Sequence, residues 1–142
     1  MEYSIGQVAE RQGLTTHTLR YYDKEGLLGK IRKNSVGLRR FSEEDLNRLT
    51  IIECLKATGL RLKDIKHYFD LCAQGETTLQ ERMKLFENQK LNLEKQMQEI
   101  RQNMERIDFK IRYYQEAIKN GEKDIYLRNK KLAAEKERLF KK

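Results

Sequence analysis

Apolar positions follow two rhythms along the chain: short interrupted runs before Gly75, and one long stripe after it. In the first region Ile5, Val8 and Ala9 share a helical face behind Ser4 and Gln7, which have the spacing of a reciprocal N-terminal cap. A short helix ending near Gly13 is predicted. Thr15 or Thr16 can cap a second helix running to about Glu25, so two short helices flank the turn at Gly13 and Leu14 in the helix-turn-helix pattern. Asn34, Ser35 and Gly37 separate the runs 30–33 and 38–41, which predicts a small hairpin. Ser42, followed by Glu43, Glu44 and Asp45, begins a third helix to about Thr58, with acids in the turn where the helix dipole favours them. Leu62, Ile65, Phe69 and Cys72 then mark a fourth helix ending before Gly75.

Thr78 and Glu81 have capping-box spacing, and from Leu79 to Ile118 apolar residues recur by alternate steps of four and three. Met83, Phe86, Leu93, Met97, Ile100, Met104, Ile107, Ile111 and Tyr114 fill that stripe, and Lys90 interrupts it. A seam of this length predicts a coiled-coil helix of about 60 Å, and one helix cannot bury it alone. A homodimer is expected. The methionines of the seam read as core and Lys90 as a register or snorkelling residue. Asn120 and Gly121 supply a stop, after which Leu132, Leu139 and Phe140 suggest a weak amphipathic helix in a basic tail. The expected divisions are a DNA-binding winged helix-turn-helix over 1–75, a dimerisation helix over 76–120 and a short tail over 121–142. The fold class is mainly α, with a β-hairpin wing.

A net charge of +8 points to polyanionic partners, and its placement says more than its size. The segment 30–41 carries Lys30, Arg32, Lys33, Arg39 and Arg40 without one acid, a basic wing. On the second helix, His17, Arg20, Tyr21 and Lys24 fall within an arc of about 100°, opposite Leu19 and Tyr22. Such a helix can enter a major groove, where Arg20 can grip a guanine edge or a phosphate and Thr16 or His17 can reach bases. Wing cations would add phosphate affinity. No glycine-rich phosphate loop, activated nucleophile or metal-ligand spacing appears, so neither catalysis nor a cofactor is expected. The lack of an export signal or a membrane-length apolar run predicts a cytoplasmic protein with reduced Cys54 and Cys72 and no membrane partner.

The order SIGQVAERQGLTTHTLRYYDKEGLL, then LRRFSEEDL, then a long helix, resembles the MerR family of bacterial transcription regulators. The resemblance is dense over 2–72. It implies an antiparallel coiled-coil dimer on a promoter pseudo-palindrome, which bends and untwists an overlong spacer so that RNA polymerase can engage. It assigns base or backbone contacts to His17 and Arg20, phosphate clamping to Tyr21 and Lys56, and wing contacts to Arg39, leaving Arg40 open. Metal-sensing relatives carry cysteines beyond the dimerisation helix, whereas no Cys or His follows Cys72 here. The residues after Gly121 are too few for the ligand domain of drug-sensing relatives. IIECLKATGLRLKDIK is similar to the aldehyde- and electrophile-responsive NmlR/AdhR subgroup, which implies Cys54 as the sensor. By helix position alone, Cys54 reads equally as a buried, inert residue beside Ala57 and Ile51, and Cys72 as structural. Two alternatives stand beside electrophile sensing. One is a small organic effector held between the coiled coil and the fourth helix, with Cys54 passive. The other is an architectural coiled-coil protein that binds duplex without sequence preference.

Overall fold

Ser4 starts the first helix as its spacing predicts: its hydroxyl accepts from the Gln7 amide at 3.2 Å, and its own amide donates to the Gln7 side chain at 2.8 Å. In the computed structural model, which describes residues 1–141, this reciprocal cap opens the first of two compact units, Met1–Lys90. Helix α1 (Ile5–Gln12) stops at Gly13, whose φ of 66° is left-handed and suits glycine. After the turn, the Thr15 hydroxyl accepts from the Thr18 amide and starts α2 (Thr16–Lys24). Helix α3 (Glu43–Ala57) carries a second reciprocal cap, from Ser42 and Asp45, and α4 (Leu62–Ala73) follows the turn at Gly59. Val8, Leu19, Tyr22, Phe41, Leu49 and Ile65 meet in one core that fixes α2 against α1, α3 and α4.

The wing has one strand more than the hairpin rhythm predicts. Strands β1 (Tyr3–Ser4), β2 (Arg32–Lys33) and β3 (Arg39–Phe41) form an antiparallel sheet in the order β1-β3-β2. Between β2 and β3 the Asn34 side-chain carbonyl accepts from the Val36 and Leu38 amides at 3.1 and 2.9 Å, so a local polar group turns the chain. Tyr3 of β1 is buried beside the core, and its hydroxyl donates to Glu43 at the start of α3. The N-terminus thus ties the wing to the helical body.

Thr78 corrects one expectation. Its hydroxyl does not form the capping pair with Glu81; buried at the end of a 3-10 turn (Glu76–Thr78), it donates to the Leu71 carbonyl at 2.7 Å and accepts from Arg82 at 2.9 Å. A buried hydroxyl needs a partner, and here the end of α4 supplies one. Helix α5 (Leu79–Asn120) begins there, and its first three turns still belong to the first unit: Leu85 packs on the core and the Gln89 side chain donates to the Thr58 carbonyl at 2.7 Å. The change of sequence rhythm at Gly75 therefore lies before the end of this compact unit.

The second unit begins at Leu91 and contains the remainder of α5, which ends at Gly121 with φ 80°. The basic segment after it is helical, as α6 (Ile125–Arg128) and α7 (Lys130–Phe140). Ile125, Leu132 and Leu139 pack on Phe109, with Tyr113 and Ala117 alongside. The Arg112–Glu135 ion pair at 2.5 Å and the Arg106 guanidinium on the Leu139 carbonyl at 3.1 Å hold α7 to α5. Phe109, the centre of this cluster, lies about 200° around the helix from Ile107, on the side away from the stripe. The hairpin therefore leaves the stripe of this unit open, with exposures from 38% at Leu93 to 86% at Ile118. Among the described residues no helix is long and apolar enough to cross a membrane, and no group of His, Cys, Asp and Glu is arranged to hold a metal ion.

Candidate nucleic-acid interface

Helix α2 turns one face inward and one outward, as its periodicity requires. Leu19 and Tyr22 are buried, while His17, Arg20, Tyr21 and Lys24 are exposed and Thr16 is half-buried. One arm of the Arg20 guanidinium reaches back to the Thr16 hydroxyl at 3.4 Å. That contact orients a planar, permanently charged fork while leaving most of its five donors for a ligand. Thr16, His17, Arg20 and Tyr21 are thus brought together on one solvent-facing surface.

The wing solves a charge problem that its sequence creates. Arg32 lies directly across the ladder from Arg40, and Lys33 from Arg39, so each face of the two-stranded ribbon pairs like charges, an unfavourable arrangement. An acid from elsewhere in the chain sits on each face. Asp23 of α2 accepts from Arg39 Nε at 2.7 Å, and Glu2 pairs with Arg32 and, at 3.9 Å, with Arg40. The Asp23–Arg39 bond fastens the wing to α2 and so joins the two basic elements. Arg39, assigned a wing contact by resemblance, therefore spends its Nε on this bond and offers only its terminal nitrogens outward. Lys30 and Lys33 have no ion-pair partner among the described residues.

Lys56 takes a position that its assignment as a phosphate clamp does not anticipate. Its amine donates to the Tyr22 hydroxyl at 3.1 Å, and that hydroxyl donates to Glu53 at 2.7 Å, linking α2 to α3. Burial pushes the Tyr22 hydroxyl above its ordinary range, and the bond from the Lys56 amine to that hydroxyl raises Lys56 in turn. Tyr22 therefore stays neutral and Lys56 charged at neutral pH. Tyr21 lies apart from this chain, on a cleft of about 360 Å³ lined also by Glu25, Leu27, Leu62, Lys63 and Lys66. The two lysines of α4 escape the sequence reading. Their signal is a pair of exposed cations three residues apart on a helix read only for its apolar face.

Cys54 is exposed on α3, Cys72 is half-buried on α4, and both are free thiols. The expectation from helix position that Cys54 is buried fails, because Leu49 and Ile52 point into the core and turn Cys54 and Ile51 outward.

The family model for the MerR helix-turn-helix regulatory protein matches residues 3–72, and a second, for MerR DNA binding, matches residues 46–108. An uncharacterised helix-turn-helix regulator from Haemophilus influenzae is 41% identical over 117 residues, 82% of this chain and 87% of that protein. The regulator AdhR of Bacillus subtilis is 32% identical over 63% of this chain and 64% of its own length. The solved structure of HiNmlR, described as a MerR family regulator lacking the sensor domain and bound to promoter DNA, is 40% identical. It superposes with a TM-score of 0.68, covering 85% of this chain and 96% of that one. These relatives are transcriptional regulators rather than enzymes. On these matches the chain belongs to the MerR family of helix-turn-helix transcriptional regulators, in its NmlR-like branch.

Proposed function

We propose that the protein binds a promoter pseudo-palindrome as a homodimer, inserting the Thr16, His17, Arg20 and Tyr21 face of α2 into the major groove. The observation that carries this reading is the bond between Asp23 of α2 and Arg39 of the wing, which joins that face to the wing. Arg20 reads a base edge or clamps a phosphate, and the wing cations with Tyr21 and Lys56 hold the backbone. Two copies join through the exposed α5 stripe in an antiparallel coiled coil, so that each half-site receives one α2. Bending and untwisting the uncontacted centre realigns the promoter for RNA polymerase, at a deformation cost offset by the phosphate contacts.

The exposure of Cys54 supports a thiol response to aldehydes and other electrophiles. The Cys54 thiolate adds to the carbonyl carbon, the carbonyl electron pair moves to oxygen, and water protonates that oxygen. The protein is expected to act in the cytoplasm, where such a thiol stays reduced.

Footprinting on the upstream region of the protein's own gene tests the DNA reading. A symmetric protected site is expected, with Arg20→Ala weakening it by about tenfold or more, the scale of one lost bidentate contact. Equal affinity for random duplex, or occupancy untouched by Arg20→Ala, removes the reading and favours an architectural role.

A further inference from the structure

We infer that Glu2 stands in for a DNA phosphate on the wing and thereby sets how much sequence-independent affinity the wing contributes. This rests on the DNA-binding reading. Arg32 and Arg40 face each other across the β2–β3 ladder; Arg32 has no acid within six residues in the sequence, and Glu43, three residues after Arg40, is bonded to the Tyr3 hydroxyl. Glu2 comes from just before β1, and β1 pairs with β3 in the register Ser4↔Arg40, which delivers the carboxylate to this face. One carboxylate oxygen pairs with Arg32 and the other lies 3.9 Å from Arg40 Nε.

A single anion shared by two guanidinium groups is the arrangement a phosphate offers to a basic ribbon. The arrangement differs from that of Asp23, which lies on the other face. Asp23 makes a close bond to a half-buried Arg39 and joins the wing to α2, a structural role. The Glu2 pair is open to solvent: the Arg32 side chain is 76% exposed and Glu2 34%. An exposed ion pair is weakly held, so a backbone phosphate can displace the carboxylate or share its partners. Yet the carboxylate still removes one positive charge from the surface that meets DNA. The protein thus gives up part of its affinity for any duplex, while the Arg20 face, which reads bases, is unaffected. Glu2 thereby lowers the wing's contribution to operator and random duplex alike and leaves the ratio between them to the Arg20 face.

The test compares wild type, Glu2→Gln, Glu2→Asp and Glu81→Gln, the last making the same charge change on an exposed residue outside the wing. Each full-length protein is titrated against operator and random duplexes over a series of salt concentrations. Glu2→Gln is expected to tighten random-duplex binding about two- to fivefold, the scale of one exposed ion pair. It should steepen the slope of log K against log salt by about 0.9, one additional phosphate neutralised. Operator binding tightens by a similar factor, so the operator-to-random ratio is unchanged. Glu2→Asp keeps the charge and the wild-type slope, and Glu81→Gln changes little. Three results overturn the inference: Glu2→Gln matching Glu81→Gln, Glu2→Gln leaving the slope unchanged, or Glu2→Gln weakening binding, which would make Glu2 a brace for the wing rather than a competitor. A wild-type protein that binds no duplex refutes the DNA reading itself, and the inference with it.

Discussion

Cys54 and Cys72 are chemically identical and placed differently, and that difference decides which can respond to an electrophile. A thiol reacts through its thiolate and only if the reagent can reach it. Cys54 is exposed on α3, whereas Cys72 is half-buried on α4. Native protein treated with formaldehyde or an alkylating reagent should therefore modify Cys54 about tenfold faster than Cys72, as measured by peptide mass against time. Cys54→Ser should leave folding nearly unchanged, within about 0.5 kcal/mol for an exposed site. It should also keep operator binding while abolishing the promoter's response to aldehyde. An unaltered response in that variant would make the thiol passive and leave a small organic molecule as the effector.

At the scale of elements, α7 depends on what it packs against. Eleven residues form too short a helix to persist alone in water, so burial of Leu132 and Leu139 on Phe109 must supply the stability. Phe109→Ala removes the centre of that cluster at a cost of about 3–5 kcal/mol. Amide exchange across α7 should then approach that of an unfolded chain while α1 to α4 keep their protection; retained protection in α7 would show that its ion pairs to α5 suffice. This docking also marks where sequence legibility ends. The caps of Ser4, Thr15 and Ser42, the turn at Gly13 and the exposed face of α2 are set by residues a few positions apart, so spacing alone reveals them. Strand β1 is two residues long and exists because Tyr3 and Ser4 find Phe41 and Arg40 far along the chain. The acids Glu2 and Asp23 escaped the reading of the wing as uniformly basic for the same reason, as did the bond that takes Lys56 to Tyr22. Cys54 was ambiguous because α3 buries one narrow face, and a shift of one residue decides exposure.

At the scale of the whole molecule, the α5 stripe is the feature a single chain leaves unresolved. Every apolar residue of the seam from Leu79 to Ile118 is exposed, and the segments that pack on α5 within the second unit, α6 and α7, gather around Phe109 rather than on the stripe. Burying a large apolar side chain yields about 1.5–3 kcal/mol, so a stripe this long left in water is a standing drive toward association. A second copy matches it in period and length. Ile100 lies near the middle of the stripe, and Ile100→Glu would place a carboxylate in that seam without touching the core of either unit. Losing the isoleucine and burying a charge there should weaken the dimer by about a hundredfold or more. Analytical ultracentrifugation should then report a dimer for wild type and a monomer for Ile100→Glu at the same concentration. Because a monomer engages one half-site with half the cations, operator affinity should fall steeply, and affinity for random duplex should fall with it as the salt dependence flattens. A dimer of wild-type stability in the Ile100→Glu protein would mean that the copies meet through another surface, and the exposed stripe would then need a different partner.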